Sequence, residues 1–396
     1  MNEEQEAPYG WVVVGATFVA LAVIFGVSYS FAAFFEPLSQ AFNANRADVS
    51  LVFGLSGLLY FLLGAGAGML ADRFGPRAVT SAGMVLIALA LAAVSVADSL
   101  LQVTLFYGLG VGAGIALVYT PAIACVQPWF TRQRGLAAGL ASSGVGAGTL
   151  VVPVLMSWAL NSMDWRHALQ WLAASTLVLG LSATVLLRRA PAATARAGVV
   201  VPGLTLREAI AHPQFRWMYA ATLLGAVPMF IPFAHVSAAA RDLGVGDARA
   251  VGLVGLIGIG SLVGRFAIGT VADRVGRPLT LVLAQAALGL SYLLWAGAGG
   301  YAALAIFAVV MGLSYGGIVS LLPALCMDFF GARAVSSILG TLYSGAAFGN
   351  LAGPYLAGAV FDHSGSYLGV TWGCLALSIG ATWCSVRATK PARVRR

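Results

Sequence analysis

The sequence predicts an all-α polytopic membrane protein in which twelve transmembrane helices form two pseudo-symmetric six-helix bundles. Three observations carry this prediction. Hydrophobic residues make up 60% of the chain and charged residues only 9%, far from the composition of soluble domains. Turns and charges divide the apolar sequence into runs of about 20 residues, each long enough to cross a bilayer. A charged turn occurs twice, about half the chain apart.

The predicted spans form two groups of six on either side of a polar segment. They cover residues 11–36, 49–71, 78–97, 100–126, 134–160, 167–188, 214–240, 249–272, 279–298, 301–327, 333–360 and 367–387. We expect an N-terminal bundle over 1–188, a cytoplasmic linker over 189–213, and a C-terminal bundle with a basic tail over 214–396. The acidic N-terminus lacks the basic region of a cleavable signal peptide, so the first span should be retained.

Within the linker, Thr205 and Glu208 have the spacing of a capping box, in which each side chain bonds the other residue's backbone N–H. The pattern predicts a short amphipathic helix over 205–210 on the inner membrane surface. An unstructured linker is the alternative.

The distribution of basic residues predicts the orientation. With both termini in the cytoplasm, seventeen basic residues fall in inner loops and the tail, and four in outer loops: Arg46, Arg166, Arg241 and Arg249. The net charge of +8 therefore reports topology rather than a surface for nucleic acid. We expect a multi-pass protein of the bacterial cytoplasmic (inner) membrane.

The charged turn appears once in each half. Residues 68–77 read Gly-Met-Leu-Ala-Asp-Arg-Phe-Gly-Pro-Arg, and residues 269–278 read Gly-Thr-Val-Ala-Asp-Arg-Val-Gly-Arg-Pro. The two aspartates, Asp72 and Asp273, lie 201 positions apart (273 − 72). The recurrence indicates an internal duplication, and parallel halves of this kind enclose a central cavity in one large class of secondary transporters.

The repeated turn is a candidate gate at the cytoplasmic ends of spans two and eight. A carboxylate there can face the positive N-terminal end of a helix in the other half, and this attraction depends on closure of the inner side. We predict a gating role for Asp72, Asp273 and the arginines that follow them, Arg73 and Arg274. The alternative is that these arginines only determine topology.

The turn resembles the loop signature of the major facilitator superfamily, whose fold has twelve helices and a central cytoplasmic loop. Further motifs are similar to those of its monocarboxylate transporter family, to which the oxalate–formate antiporters are related. These are Gly10-Trp11 and 26–31 in span one, 129–141 with Gly144 and Gly148 in span five, and 327–331, 336–337 and 353–358 in spans ten and eleven. The motifs cover both halves of the chain.

Arg265 is the one basic residue in the interior of a predicted span, since the others lie in loops, in the tail or at span ends. An arginine near a helix centre costs about 2.5–3.5 kcal/mol on insertion scales, so it needs a partner or a wet cavity. No carboxylate lies near the middle of any span, because Glu36 and Asp328 lie near helix ends. A guanidinium group can bind a substrate carboxylate, and the resemblance implies this role for the helix-eight arginine. Snorkelling, or bonding to carbonyls, is the alternative.

His235 is the only histidine in the interior of a predicted span, because His167, His212 and His363 fall in loops or at helix ends. It follows Pro228 and Pro232, which should bend the helix. Because imidazole titrates near neutral pH, His235 is the candidate for coupling anion movement to a proton and for contacting the substrate. The alternative is a neutral histidine that is hydrogen-bonded to a neighbour.

Four further residues are candidates for binding the substrate carboxylate. Tyr119, Tyr315 and Asn350 carry donors within spans four, ten and eleven. Tyr29 lies in a stretch that resembles the family's cavity-facing segment. Packing or anchoring at the membrane interface is the ordinary role of such tyrosines.

The chain departs from the family's animal members at two charged positions. The resemblance implies a lysine in helix one, where residues 31–34 are Phe-Ala-Ala-Phe, and an aspartate one turn before Arg265, where this chain has Ser261. The lysine–aspartate route for a proton is therefore absent. A coupled proton must use His235 or the substrate carboxylate itself.

The sequence therefore predicts a secondary transporter of small monocarboxylates, of the lactate or pyruvate class, that works by alternating access with a proton. The expected partners are the carboxylate, the proton and the lipid bilayer. No enzyme motif, cofactor, metal cluster, nucleic acid or obligatory protein partner is indicated. Two alternatives stay open: exchange of organic anions of the oxalate–formate type, and a non-transporting membrane receptor.

Overall fold

The computed structural model describes residues 8–130, 134–190, 203–331 and 333–389. Helices make up nearly all of these residues, and their only β feature is an isolated bridge between Gly203 and Gly331. The predicted all-α fold class is confirmed.

Twelve long helices are present in the described residues, six before the linker and six after it. They are α1 Tyr9–Phe42, α2 Arg46–Phe74, α3 Pro76–Ser95, α4 Leu100–Val126, α5 Arg134–Ala159, α6 Trp165–Thr184, α7 Pro213–Asp242, α8 Asp247–Val275, α9 Arg277–Ala296, α10 Tyr301–Phe330, α11 Val335–Ser364 and α12 Leu368–Thr389. Ten of them are long and apolar enough to cross a membrane. The other two, α6 and α11, have sufficient length but contain more polar residues.

The chain divides into two compact units, Met1–Ala197 and Gly198–Arg396. Helix lengths recur between them: α2 and α8 each have 29 residues, and α3 and α9 each have 20. The turn between these helices recurs as well. Gly75 and Gly276 follow the last helical residues with φ of 91° and 92°.

A positive φ explains the glycine in both copies of the turn, because a side chain is strained there. Each glycine N–H also closes the preceding helix in the same way, donating to a carbonyl 2.9 Å away, that of Ala71 in one copy and Ala272 in the other. The two copies of the sequence motif therefore encode one local structure.

Glycines bring paired helices into backbone contact. In the first unit, Gly144 and Gly148 of α5 lie against α1, where a Cβ on Gly148 would be 2.0 Å from the carbonyl oxygen of Ala22. This contact gives a physical reason for the two glycines of the span-five motif. Small residues permit such close approach in a bilayer, where burial of apolar surface does not drive helix association.

The second unit repeats this arrangement between α8 and α10. A Cβ on Gly312 would be 2.3 Å from the carbonyl oxygen of Ile257, and one on Gly316 would be 2.2 Å from that of Ser261. On α8, Gly264 meets the carbonyl of Leu313 in the same way, at 2.1 Å. We call this line of contact the α8–α10 seam. It fixes the stretch of α8 that carries Arg265.

The linker contains a helix over Leu206–Ala211, and its predicted capping box is confirmed. Glu208 Oε2 accepts from the Thr205 backbone N–H at 2.7 Å, and Thr205 Oγ1 accepts from the Glu208 N–H at 3.3 Å. The bonds donated by Thr205, with a smaller contribution from the charge of Arg333, lower the pKa of the Glu208 carboxyl. Linker residues 191–202 lie outside the described residues.

The α8–α10 seam predicts the effect of adding one methyl group. Gly316→Ala should lower the free energy of unfolding by about 1–3 kcal/mol, because the new Cβ overlaps the backbone of α8. Gly252→Ala on α8 is the control, since a Cβ there has no neighbour within 4 Å. Thermal unfolding in detergent measures both variants. Equal midpoints for Gly316→Ala and the wild type would contradict this packing.

Candidate functional site

Arg265 lies inside α8, far from both ends of the helix. It follows Asp247 by 18 residues (265 − 247) and precedes Val275 by ten (275 − 265). At a rise of 1.5 Å per residue, the nearer end is about 15 Å away, beyond the reach of an arginine side chain. The side chain is half-buried. The charge is therefore held within the length of the helix.

Two polar atoms on one face of α8 have no hydrogen-bond partner in the structure. Among the described residues, five buried side-chain nitrogen or oxygen atoms lack a partner, and two of these are Arg265 Nε and Ser261 Oγ. Residues four apart are neighbours on a helix surface. We call these two atoms the α8 donor pair. Leaving a buried polar group unpaired costs about 1–3 kcal/mol, so the pair favours binding of an acceptor.

A carboxylate has the chemistry that the α8 donor pair requires. It accepts from several donors at once, and its charge complements a guanidinium group, which stays protonated. The protein supplies no such acceptor in the described part of the second unit, where no aspartate or glutamate forms an ion pair with Arg265. Two acids there bond other arginines instead. Asp328 accepts from Arg277 Nη1, at 2.9 Å to each oxygen, and Asp247 accepts from Arg241 Nε at 2.6 Å.

Tyr315 lies on the α8–α10 seam, whereas Asn350 lies at the contact between α11 and α7. Tyr315 directly precedes Gly316, is buried, and meets the Phe233 ring of α7 edge-to-face at 5.5 Å. Asn350 is buried on α11 between two glycines that pack against α7. The structure thus places Tyr315 on the helix pair that holds the donor pair. The substrate contacts of both residues stay predictions.

His235 is fully buried, and both of its ring nitrogens have protein partners. Nε2 lies 2.8 Å from the carbonyl oxygen of Pro354, and Nδ1 lies 2.9 Å from the Tyr367 hydroxyl. A carbonyl can only accept, so we assign the proton to Nε2 and let Nδ1 accept from Tyr367. His235 therefore links α7 to α11 and to the residue before α12. This geometry is that of the neutral, bonded histidine, and the coupling role stays a prediction.

The predicted tyrosines of the first unit belong to an aromatic cluster. Tyr29 is buried, with its ring 5.8 Å from Phe25 and 6.3 Å from Phe53. Tyr119 is half-buried and meets Phe25 and Tyr60 edge-to-face, at 5.6 and 5.5 Å. Packing accounts for the position of Tyr29, whereas Tyr119 keeps part of its surface accessible. Their contacts with substrate stay predictions.

The predicted gate residues occupy the last turns of α2 and α8. Asp72, Arg73 and Arg274 are exposed, and the side chain of Asp273 lies outside what the structure describes. The backbone carbonyl of Asp72 accepts from Arg189 Nη2. The gating role stays a prediction, and Arg189 is a contact of this turn that the sequence pattern did not indicate.

Ser261 is a further candidate for the site, and the sequence pattern alone did not single it out. The signal was present, because Ser261 lies four residues before Arg265, at the position where the resemblance implies an aspartate. Ser261 becomes a candidate because its Oγ is buried without a hydrogen-bond partner. This burial can be seen only once α8 is packed against α10.

No group of three or more histidine, cysteine, aspartate or glutamate residues in the described parts of the chain is arranged to hold a metal ion. The four cysteines form no disulfide and are buried: Cys125, Cys326, Cys374 and Cys384.

The chain is similar in sequence to known proteins over most of its length. The sequence model described as the Major Facilitator Superfamily matches residues 16–341 and again residues 229–396. Monocarboxylate transporter 13 of Rattus norvegicus is 33% identical over 370 residues, which cover 92% of this chain and 86% of that protein. Monocarboxylate transporter 11 of Mus musculus is 30% identical over 372 residues, covering 91% and 83%.

Among solved structures, a bacterial homolog of the human lysosomal transporter Spinster, in an inward-facing and unoccupied conformation, matches with a TM-score of 0.73. The match covers 96% of both chains at 16% sequence identity, so it supports the fold.

The hydrogen bonds of His235 predict a loss of stability when the ring is replaced. His235→Phe keeps an aromatic ring but leaves the Pro354 carbonyl and the Tyr367 hydroxyl without these bonds, at about 1–3 kcal/mol for each unsatisfied group. His363→Phe, at an exposed position near the end of α11, is the control and should change stability by less than about 0.5 kcal/mol. Denaturant or thermal unfolding measures both. A His235→Phe protein as stable as the wild type would exclude the linking role.

Proposed function

The chain belongs to the major facilitator superfamily and, within it, to the monocarboxylate transporter family, and from that premise we propose that it carries small monocarboxylates such as lactate or pyruvate together with a proton. It is a multi-pass membrane transporter and not an enzyme. The finer proposal, which concerns the substrate and its coupling, rests on the chemistry of α8.

The observation that carries the proposal is the α8 donor pair. Arg265 Nε and Ser261 Oγ lie one turn apart and unpaired, on a helix held against α10 by glycine contacts. A small carboxylate would accept from both donors and bring a charge opposite to that of Arg265. A neutral solute of the same size would leave the guanidinium charge without a counter-ion, which is costly within a membrane. The pair therefore favours anions.

A single guanidinium also limits the charge of the substrate. A guanidinium group is always charged in proteins, so Arg265 gives the site one positive charge, which a bound monocarboxylate neutralises. A dicarboxylate would leave one negative charge in excess. A monocarboxylate is thus the anion that this site balances without further charged residues.

Two groups can carry the coupled proton. His235 titrates in the appropriate range when free, but a second proton on its ring would have to displace the bond between Nδ1 and Tyr367. The substrate carboxylate can take the proton directly, which also weakens its attraction to Arg265 and aids release. The two routes make different predictions for replacement of His235.

The proposal includes a location and a gate. The bias of basic residues towards one set of loops supports an orientation with both termini in the cytoplasm. The location that we propose is the bacterial cytoplasmic membrane. The repeated glycine turns that follow Asp72 and Asp273 support a pair of equivalent gating contacts on the inner side, which form in one access state and break in the other. Fusion of a reporter active on only one side of the membrane to the C-terminus tests the orientation.

Arg265→Lys tests the anion site. Lysine keeps the charge but loses the planar guanidinium and its Nε donor, so uptake of lactate or pyruvate at low concentration should fall about 10- to 100-fold, as expected for losing one charge-assisted hydrogen bond. Arg249→Lys is the matched control, because Arg249 lies on the same helix but is exposed. Radiolabelled uptake into proteoliposomes measures both variants.

Unchanged uptake by Arg265→Lys, in protein that folds and reconstitutes like the control, would remove Arg265 from the substrate site. A uniform loss in both variants would point to a general effect of replacing arginine on α8 and would equally contradict the assignment.

Symport predicts that a pH gradient alone, acid outside, drives accumulation of lactate or pyruvate in proteoliposomes. A requirement for internal organic anion, with no response to the gradient, would instead show exchange of the oxalate–formate type. If transport is symport, His235→Gln distinguishes the two groups that can carry the proton. A flattened pH profile would assign the proton to His235, and an unchanged profile would assign it to the substrate carboxylate.

A further inference from the structure

A basic pocket lies in the first unit where the end of α2, the start of α3 and the segment after α6 meet. Its volume is about 420 Å³. We call it the arginine pocket, and nine residues line it: Arg73, Phe74, Gly75, Pro76, Arg77, Ala78, Leu187, Arg188 and Arg189. Four of the nine are arginines and none is acidic.

Two arginines of this pocket are in contact with neutral groups. Arg189 Nη2 donates to the carbonyl oxygens of Ala71, at 2.7 Å, and Asp72. The Arg188 guanidinium lies over the ring of Tyr9, with its central carbon 4.9 Å from the ring centroid. Neither a carbonyl nor a ring cancels the positive charge.

No ion pair forms between these four arginines and any carboxylate in the described residues. In the described part of the chain, the acid adjacent in sequence is Asp72, which brings one negative charge beside four positive ones. The pocket therefore retains a strong net attraction for anions.

The equivalent turn of the second unit differs. There Arg277, at the start of α9, donates to both carboxylate oxygens of Asp328 on α10, each at 2.9 Å. An internal acid thus neutralises an arginine at the second turn, and this pairing is missing from the first. The uncompensated charge is a property of the arginine pocket and not of the repeated motif.

Two more features indicate the chemistry of a ligand. The pocket opens at the N-terminus of α3, where Pro76 begins the helix and the free backbone N–H groups and helix dipole favour phosphate. Apolar side chains flank it at the helix ends, because Met69, Leu70 and Phe74 of α2 are 69%, 43% and 59% exposed. Positive charge beside exposed apolar surface at a helix end suits a phosphate attached to acyl chains.

We propose that the arginine pocket binds the phosphate group of an anionic phospholipid. The phosphodiester accepts hydrogen bonds from Arg77 and Arg188, and the acyl chains lie along the exposed apolar side chains of α2. A free phosphate anion shares the headgroup chemistry but has nothing to place on that apolar surface. The site is separate from the α8 donor pair and does not depend on the proposed substrate.

The test uses the full-length protein in nanodiscs of phosphatidylcholine with 10% phosphatidylglycerol, followed by native mass spectrometry of the lipids it retains. Wild-type protein should retain phosphatidylglycerol in preference to phosphatidylcholine. The double variant Arg77→Gln, Arg188→Gln should lose about 30-fold of this preference, as expected for two arginine contacts to an anionic headgroup.

The control removes the same charge from the second unit. Arg216→Gln together with Arg387→Gln changes two exposed arginines near the ends of α7 and α12, outside the pocket, and should leave the preference intact. The double variant Arg77→Lys, Arg188→Lys keeps the charge and should recover most of the binding, which separates loss of the site from loss of folding.

Inorganic phosphate, titrated into protein in phosphatidylcholine alone, distinguishes the two sources of the anion. Binding of phosphatidylglycerol that millimolar phosphate does not displace supports the lipid. Displacement by phosphate, or phosphate binding that is lost in Arg77→Gln, Arg188→Gln, reassigns the pocket to a soluble phosphate and overturns the lipid proposal. Equal retention of phosphatidylglycerol by the pocket and control variants would overturn the site altogether.

Discussion

The structure depends on glycine contacts that let helix backbones touch. In a bilayer, lipid tails compete on equal terms with apolar side chains, so helices associate through close packing and specific polar contacts. Gly144 and Gly148 provide this packing between α5 and α1, and Gly312 and Gly316 provide it between α10 and α8. The same device recurs in both units, and in the second it fixes the helix that carries Arg265.

Because the glycine contacts fix α8 against α10, the two atoms of the α8 donor pair are held in place. A flexible helix end would let an arginine turn towards water or a carbonyl, whereas α8 holds Ser261 Oγ and Arg265 Nε buried without partners. An empty site of this kind is unfavourable, and a carboxylate relieves both the missing hydrogen bonds and the unbalanced charge. Under the proposed function, selectivity for an anion follows from the unsatisfied donors and unbalanced charge of the substrate-free site, without a second charged residue to recognise the substrate.

Local patterns in the sequence predicted the parts of the structure that are encoded locally. The capping box at Thr205 and the repeated turn depend on residues within one helical turn, and both are present in the structure. Arg265 was recognisable because a charge inside an apolar run is conspicuous. Contacts between distant residues were beyond such reasoning. The bonds of His235 reach Pro354 and Tyr367, 119 and 132 positions away, and they decide what the only buried histidine of the spans can do.

The central claim, that the α8 donor pair binds a carboxylate, is tested most directly by comparing the affinities of purified protein for lactate and for its uncharged amide, lactamide. The account predicts that wild-type protein binds lactate far more tightly and that Ser261→Ala combined with Arg265→Gln abolishes this difference, because the positive charge, the guanidinium Nε and the Ser261 hydroxyl are then gone. Equal affinities for the two ligands in the wild type, or a preference for lactate that survives in the double variant, would contradict it.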